Sequence, residues 1–371
     1  MNTKFEALEN PVIAVLGAGH GGMAMAGHLA MMGYEVNLFN RGDERLWGVR
    51  SSGGIELTGE VVGFGPIKMA TTSMEEAISN ANLIMVVVPA LAHRWIAEQA
   101  APYLRDGQMI VLHPGRTLGA LEFKQVLTSL NSKADVIISE AQTFIYASRA
   151  IGPSQAKIFS IKHSIPVASI RAYLIPMVIS QLRKFYPQFV PGDNIFKTSF
   201  DNIGSIFHPA LCILNAGWIE DDAQFQFYHE GATESVSLVL EKVDNERIAV
   251  AEALGIRAIS SRQWFYIAYS TAGDTLFEAM RKNPGYRGIM APRTLKMRYI
   301  DEDVPFSLVP ISSVGKMFGV PTPTIDALIH LASILNKKDY LSDGRTIDRL
   351  GISGMSLRDL RLLAIGEKSS Y

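Results

Sequence analysis

The hydrophobic pattern of the first half of the chain alternates between short apolar segments and helix-forming segments. The apolar segments are rich in β-branched residues, which is typical of strands buried in a parallel sheet. Six such strands are predicted, at residues 12–16, 34–39, 67–71, 83–88, 109–112 and 135–140. Strands separated by helices predict a doubly wound parallel sheet, which binds its ligands at the carboxyl ends of the strands.

The second half of the chain changes to a helical pattern. The strand signals fade from about residue 180, and proline and glycine residues break the chain at 187–192. The clearest helix is predicted over residues 233–254, where apolar residues recur at helical spacing, and another over residues 323–335. The sequence therefore predicts an α/β protein with a Rossmann domain at 1–190 and an all-helical domain at 191–371.

Composition and charge exclude several classes of protein. The 371 residues include 35 Lys and Arg against 36 Asp and Glu, and this balance argues against a nucleic-acid partner. No apolar run approaches the roughly 18 residues of a membrane span. Glu6 and Glu9 lie where a signal peptide needs an apolar core. The single cysteine, Cys212, cannot form an internal disulfide. We therefore expect a cytoplasmic protein with no membrane partner.

A glycine-rich loop joins the first strand to the first helix. It contains G-x-G-x-x-G at Gly17, Gly19 and Gly22, with His20 and Gly21 between them. The first glycine allows a tight turn, the second lets the backbone approach a pyrophosphate, and the third lets the helix pack against the strand. The helix N-terminus adds unpaired N–H groups for the phosphates. The loop, His20 included, is therefore predicted to bind a dinucleotide, and no metal site is predicted, because the histidine has no partner at metal-ligand spacing.

The end of the second strand bears on which dinucleotide binds. An NAD site usually has Asp or Glu there, about 20 residues beyond the glycines, to hold the ribose 2′-hydroxyl. Here Asn40 carries no charge that repels a 2′-phosphate, and Arg41 can pair with one. NADP is therefore the predicted cofactor, and NAD stays open because Asp43 and Glu44 follow closely.

The loops after the later strands are expected around the same cofactor. Val88 and Pro89 end the fourth strand, where a Rossmann loop passes beneath the nicotinamide ribose. The loops at 113–117 and 140–149 follow the next two strands. The polar candidates in the loops after the fourth and fifth strands are His93, His113 and Arg116.

Two segments of the helical half indicate catalysis. Pro209 suits the first position of a helix, which places His208 at the helix mouth and Asn215 on the same face. The second segment is RYIDEDVP, in which a chain bend would bring Arg298 and Asp303 into one site.

A dehydrogenase needs a group that titrates near neutrality, a carboxylate that orients it and a cation for the acid group of its substrate. His208, Asp303 and Arg298 match these requirements. The structural alternative is that His208 is a capping or surface residue, and that the acids only offset the dipole of the helix that follows.

Several segments of the chain resemble the opine dehydrogenases, a family that includes octopine, nopaline and N-(1-carboxyethyl)amino acid dehydrogenases. In the helical half they are FHPALCILNAG, YHEGATESV, KVDNERIAVAEALG and RYIDEDVPFSLVPISSVGKMFGVPTPTIDALI, and in the first half GAGHGGMAMAGHLA and HPGRTLGALEF. The resemblance implies a reductive condensation: the amino group of an amino acid and an α-keto acid, commonly pyruvate, form an imine that NAD(P)H reduces to a secondary-amine dicarboxylate.

The resemblance also implies roles for individual residues. His208 matches the family's catalytic acid–base, Asp303 the carboxylate that orients it, and Arg298 the arginine that binds the keto-acid carboxylate, for which a guanidinium fork is suited. Asn215 is a further candidate for substrate binding, and Thr143, after the sixth strand, is a candidate contact for the keto acid. The implied partners are small molecules, and a homodimer stays open.

Two alternative functions remain open on the same residues. One is a β-hydroxyacid or ketopantoate-type NADP-dependent reductase, which needs a catalytic lysine on a helix of the second domain; Lys242 is present but lacks the expected flanking pattern. The other is a non-catalytic protein that senses NADP(H), which predicts loss of the catalytic residues. His208, Arg298 and Asp303 are all present.

Overall fold

The structure, a computed structural model, describes residues 8–221 and 224–366. Residues 1–7, on which the expectation of no signal peptide partly rests, lie outside the described residues. The chain divides into two compact units: the described part of the first comprises residues 8–198 and 358–366, and the second is Ser199–Leu357. The predicted boundary after residue 190 differs from this division, because residues 189–191 still pair in the sheet of the first unit.

The regular elements of the described residues are numbered in chain order. Strands β1 to β12 are Ile13–Leu16, Val36–Phe39, Gly54–Gly59, Gly63–Pro66, Met69–Thr71, Leu83–Val86, Met109–Leu112, Ile137–Ala141, Tyr146–Gly152, Gln155–Ile161, Ile165–Ser169 and Phe189–Pro191. Helices α1 to α17 are His20–Met31, Trp47–Ser52, Met74–Ile78, His93–Ala100, Gly119–Ser129, Ile175–Leu182, Ile195–Phe200, Gly204–Leu214, Ala216–Glu220, Glu234–Ala253, Ser261–Tyr269, Leu276–Lys282, Arg298–Asp301, Val309–Met317, Pro323–Asn336, Tyr340–Asp343 and Leu357–Ile365.

The main sheet of the first unit has the strand order β12-β11-β8-β7-β6-β1-β2-β5. Strands β1, β2, β6, β7 and β8 are buried along their whole length, as expected for strands covered on both faces. All six predicted strands are present and parallel, which confirms the Rossmann fold. The sheet also has one antiparallel pair, β8 with β11, which the prediction of a parallel sheet missed.

A second, four-stranded sheet in the first unit has the order β4-β3-β10-β9. Its strands alternate buried and exposed residues, so that only one face is covered, and it packs against α1. The sequence-based prediction missed this sheet, because these strands are polar at alternate positions and are joined by tight turns rather than by helices. The sheet contacts the helix that follows the glycine-rich loop and thereby supports that loop.

The second unit is helical, with α10 packed against α8, α12 and α15. The predicted helices at 233–254 and 323–335 are confirmed as α10 and α15. Helix α10 begins where the Thr233 side chain accepts a hydrogen bond from the Val236 amide, and α15 begins at Pro323, whose fixed φ suits a first turn. No described helix is both long and apolar enough to cross a membrane.

A buried ion cluster fastens α10 to the start of the second unit. Arg247 is fully buried, and its Nη2 atom lies 2.6 Å from the Asp244 carboxylate and 2.6 Å from the Ile259 carbonyl oxygen. Its Nη1 atom donates to the Phe200 carbonyl oxygen. Asp244 in turn accepts hydrogen bonds from the amide and hydroxyl of Ser261, both at 2.7 Å, and so holds the start of α11.

Candidate active site

The glycine-rich loop of the first unit has the conformation that a dinucleotide needs. Gly17 has φ +113°, and a Cβ atom there would lie 2.5 Å from the Val87 carbonyl oxygen. A Cβ at Gly22 would lie 1.6 Å from the Gly17 carbonyl oxygen, so the fold requires glycine at both positions. A Cβ at Gly19 would meet nothing within 4 Å. The open side of Gly19, at the uncapped start of α1, fits a pyrophosphate.

Two further residues of the loop have partners inside the first unit. The Nδ1 atom of His20 accepts a hydrogen bond of 3.0 Å from the Ala150 amide in β9. A Cβ at Gly21 would lie 2.8 Å from the Phe144 ring, so this glycine permits close packing. His20 therefore attaches the loop to the second sheet, and the predicted cofactor contact of His20 and Gly21 stays a prediction.

The end of β2 is tied to the glycine-rich loop by Asn40. Its Oδ1 atom accepts a hydrogen bond of 3.1 Å from the Ala18 amide, and its Nδ2 atom donates to the Gly42 carbonyl oxygen at 2.8 Å. Arg41 is exposed, and its guanidinium carbon lies 5.9 Å from the centre of the Trp95 ring. The nearby Asp43 is already paired with Arg50, at 2.5 Å. Arg41 thus offers a cation at this edge of the sheet that could pair with a 2′-phosphate. The Glu44 carboxylate lies beside Gly42 at the same edge.

The loops after β6 and β7 contribute apolar contacts and buried histidines. A side-chain methyl of Val88 packs against Gly17, and Pro89 is exposed at the start of a short 3₁₀ turn. His93 and His113 are buried, and burial lowers the pKa of His113 to about 3. A neutral, buried imidazole is a packing group, so the structure gives His113 no exposed surface with which to contact a ligand.

The second unit brings His208 and Asp303 together, although 95 positions separate them. The His208 Nδ1 atom lies 2.7 Å from the Asp303 Oδ2 atom. The carboxylate is fully buried, whereas 14% of the imidazole side chain is exposed. A carboxylate only accepts hydrogen bonds, so the ring carries its proton on Nδ1 and directs Nε2 away from Asp303. This is the arrangement of an oriented acid–base group.

The helix that carries His208 differs from the prediction. Helix α8 begins at Gly204, and Pro209 lies inside it rather than at its first position. The helix begins earlier because residues 204–208 are themselves helix-compatible, and the side chain of Ser205 returns to the Asn202 carbonyl oxygen. His208 is therefore a residue of the first turns, partly buried, and not a cap. The prediction of a helix mouth at His208 was wrong.

Arg298 lies at the start of α13, directly before a tyrosine that contacts His208. Its guanidinium carbon lies 5.9 Å from the centre of the Tyr299 ring, and that ring stacks on His208 at 4.1 Å. The predicted bend is present, since α13 ends at Asp301 and a π-helical turn, Val304–Leu308, follows. Within residues 8–221 and 224–366, no carboxylate pairs with Arg298. The guanidinium is thus available for an anionic ligand.

Two hydrogen bonds anchor the last residue of α13. Asp301 lies 2.5 Å from the Lys338 ammonium group and 2.5 Å from the Tyr340 hydroxyl. Both partners lie at the junction of α15 and α16. These bonds fix the short helix that presents Arg298 and Tyr299.

The two remaining predicted substrate residues have other partners. Asn215 follows the last residue of α8, and its Nδ2 atom donates to the Leu211 and Gly231 carbonyl oxygens at 2.9 and 3.1 Å. The Thr143 hydroxyl, in the first unit, accepts a hydrogen bond of 2.6 Å from Lys162. Asn215 therefore holds the loop at residue 231, and substrate binding by either side chain stays a prediction.

The sequence-based prediction missed two aromatic residues of the site. The Tyr228 hydroxyl lies 3.1 Å from the His208 Nε2 atom, and Tyr299 stacks on the imidazole with an angle of 17° between the rings. Burial raises the pKa of Tyr228, so this group is a phenol at neutral pH. Both residues stand in the segments that carry the family resemblance, YHEGATESV and RYIDEDVP. In the described part of the chain, no group of three His, Cys, Asp or Glu residues is placed to hold a metal ion.

Comparisons with known proteins agree with the two-part organisation. Residues 191–336 match the family model described as the alpha-helical domain of NAD/NADP octopine/nopaline dehydrogenase, and residues 12–115 match the N-terminus of NAD-dependent glycerol-3-phosphate dehydrogenase. An opine dehydrogenase of Arthrobacter sp. (strain 1C) is 37% identical over 95% of this chain and 99% of its own.

Solved structures extend the likeness to the whole fold. Octopine dehydrogenase, solved with NADH and L-arginine, superposes with a TM-score of 0.82 at 21% identity, over 98% of this chain and all of its own. Yersinopine dehydrogenase, solved with NADP⁺, superposes with a TM-score of 0.71 at 15% identity, over 96% of this chain and 98% of its own.

Proposed function

Because this chain belongs to the opine dehydrogenase family, we propose that His208, Asp303 and Arg298 are the catalytic residues of its reaction. The enzyme is an NAD(P)-dependent oxidoreductase that acts on CH–NH bonds. It condenses the amino group of an amino acid with an α-keto acid, reduces the imine to a secondary-amine dicarboxylate, and catalyses the reverse oxidation. The observation that carries the proposal is the 2.7 Å contact between His208 and Asp303. Arg298, which pairs with no carboxylate among the described residues, lies beside the tyrosine that stacks on His208.

The proton chemistry belongs to His208. With Nδ1 held by Asp303, Nε2 is the nitrogen that is left to exchange a proton with the substrate. A protonated ring at this position polarises the carbonyl or imine and so favours hydride arrival at the carbon atom. Asp303 orients the ring, because its buried carboxylate accepts the hydrogen bond of Nδ1.

Arg298 is proposed to bind the carboxylate of the keto acid, pyruvate first among the candidates. A guanidinium offers two parallel N–H donors to a carboxylate, which fixes the substrate in orientation as well as in place. The Tyr299 ring beside it limits the directions from which an anion approaches. The amino acid is therefore expected to add to a keto acid that is already oriented.

Replacing Arg298 by lysine is expected to raise the KM for the keto acid about tenfold or more and to change kcat much less. The lysine keeps the charge but loses the bidentate fork, and a hydrogen bond to a charged group contributes roughly 1.5–3 kcal/mol. Steady-state kinetics with the keto acid varied measures the effect. Arg287→Lys, at another exposed arginine of the second unit, is the matched control. An unchanged KM in Arg298→Lys would remove Arg298 from the keto-acid site.

The cofactor is proposed to lie on the glycine-rich loop of the first unit, and when bound it supplies or accepts the hydride. Gly17 and Gly22 shape the loop, and the open side of Gly19 receives the pyrophosphate. NADP is the proposed preference, supported by the neutral Asn40 and the exposed Arg41, with NAD as the second possibility. Val88 and Pro89 are proposed to contact the nicotinamide ribose.

Replacing Asn40 by aspartate is expected to weaken NADPH binding at least about tenfold relative to NADH. The new carboxylate repels a 2′-phosphate but accepts hydrogen bonds from a ribose 2′-hydroxyl, and it loses the bond that Asn40 donates to Gly42. Titration calorimetry with both dinucleotides measures the ratio. Asn131→Asp, an exposed position at the end of α5, controls for the added charge. Equal weakening of both cofactors would assign Asn40 to loop structure alone.

The experiment that tests the proposed function is a grid of NADPH and NADH oxidation assays. Pyruvate, 2-oxoglutarate and oxaloacetate are each crossed with the common amino acids. Oxidation that requires both a keto acid and an amino acid supports the proposal. Oxidation with a keto acid alone indicates a hydroxyacid reductase, whose candidate lysine, Lys242, is exposed on α10. We further propose that the enzyme is cytoplasmic and forms a homodimer, which cell fractionation and light scattering test.

A further inference from the structure

The imidazole of His208 is held at a second nitrogen by a residue with no assigned role. The Tyr228 hydroxyl lies 3.1 Å from Nε2, the nitrogen that Asp303 does not bind. We propose that Tyr228 is a positioning residue that keeps the His208 ring in one orientation while its protonation state changes. This inference rests on the proposed acid–base role of His208.

Contacts on three sides fix the imidazole. Asp303 binds Nδ1 at 2.7 Å, Tyr228 binds Nε2 at 3.1 Å, and the Tyr299 ring covers one face at 4.1 Å. The first contact alone leaves the ring free to rock about the Nδ1 bond. The second contact removes that freedom, because the two bonds lie at opposite edges of a rigid ring.

A phenol is suited to this position because it can both donate and accept a hydrogen bond. With Nδ1 protonated and bound to Asp303, a neutral ring has a lone pair on Nε2, and the Tyr228 hydroxyl donates to it. When Nε2 is protonated and the substrate does not engage its N–H group, the same hydroxyl oxygen accepts from it. The partner therefore serves both states of the ring without movement of either side chain, whereas an amide or ammonium group would need to turn or withdraw.

Tyr228 is itself firmly held within the second unit. It is buried, its ring stacks on Tyr286 at 4.0 Å, and it packs edge-on against Phe227 at 5.0 Å. The Phe227 amide donates to the Ile289 carbonyl oxygen at 2.8 Å, and Asn215 holds the chain at Gly231. A hydroxyl placed this rigidly fixes the position of its partner, which a flexible surface tyrosine would not do.

The test is Tyr228→Phe, which removes one oxygen atom and keeps the ring stack. We expect kcat to fall about tenfold, the upper range for one neutral hydrogen bond, with the KM for the keto acid and the Kd for the cofactor within about twofold of wild type. Tyr286→Phe is the matched control, because it removes a buried hydroxyl one ring away that does not contact His208. Thermal unfolding of both variants checks that they fold alike.

A spectroscopic measurement separates positioning from a structural role. In the ¹⁵N spectrum of ¹⁵N-histidine-labelled enzyme at alkaline pH, the Nε2 resonance of His208 is expected to move downfield in Tyr228→Phe, because a lone pair loses its donor, and to stay in place in Tyr286→Phe. An unmoved resonance, or kcat equal to wild type, would overturn the inference. If His208→Ala retains turnover, the proposed acid–base role of His208 is wrong. If His208→Ala loses turnover but Tyr228→Phe does not, only the proposed role of Tyr228 is wrong.

Discussion

Replacement of His208 by alanine is expected to lower turnover at least about a hundredfold, the usual scale of general acid–base catalysis, and to leave cofactor binding intact. The methyl group cannot donate or accept the proton that the imine and its precursors exchange. It also leaves the Asp303 carboxylate buried without its main partner at the site. The glycine-rich loop belongs to the first unit, so the Kd for NADPH should match wild type.

Stopped-flow and steady-state assays of His208→Ala measure the loss, and fluorescence titration measures the Kd. His330→Ala, at an exposed histidine of α15, is the control for removal of an imidazole from the second unit. Near-normal turnover in His208→Ala would refute the catalytic assignment. Loss of both turnover and cofactor binding would indicate that the variant is misfolded, which circular dichroism would detect, and His208→Gln would then replace it.

Replacement of Arg247 by methionine is expected to destabilise the second unit by about 3–5 kcal/mol, the range for removal of one partner of a buried ion pair. Asp244 would keep its bonds to Ser261 but lose its cation, and the carbonyl oxygens of Phe200 and Ile259 would lose a donor. Phe200, Asp244 and Ser261 are buried, and Ile259 is partly buried. Protein interiors offer no water to replace the lost hydrogen bonds.

Hydrogen–deuterium exchange of α10 measures this loss locally. Exchange of its protected amides should accelerate at least about a hundredfold, since 1.4 kcal/mol corresponds to a factor of ten. Arg257→Met, at an exposed arginine of the second unit, should change exchange little. Equal exchange in wild type and Arg247→Met would show that the cluster contributes no net stability.

The sequence predicts the elements whose environment is uniform. Strands such as Val36–Phe39 and Met109–Leu112 are buried at every position, so their apolar character is visible without any knowledge of neighbours. Helix α10 can also be predicted from the sequence, because its buried residues recur at helical spacing. The second sheet escaped prediction because β3 and β10 bury only part of their residues, and their pairing depends on contacts distant in sequence.

The candidate site also contains residues that the sequence predicts and residues that it does not. His208, Arg298 and Asp303 were predicted because their side chains have the chemistry that a dehydrogenase needs, and the structure brings them into one cluster with Tyr299. Tyr228 could not be predicted from its type, since its role depends on a loop that Asn215 holds against α8. The start of α8 was misjudged because Pro209 is tolerated inside this helix, although proline usually begins one.

The identity of the reaction product tests whether the enzyme joins a keto acid to an amino acid. The enzyme is incubated with pyruvate, with the ¹⁵N-labelled amino acid that gives the greatest activity in the grid, and with NADPH or NADH deuterated at the transferred hydride. We expect a secondary-amine dicarboxylate that contains both carbon skeletons, the ¹⁵N atom and one deuterium on the former keto carbon, as mass spectrometry would show. A deuterated hydroxyacid together with unchanged amino acid would contradict it.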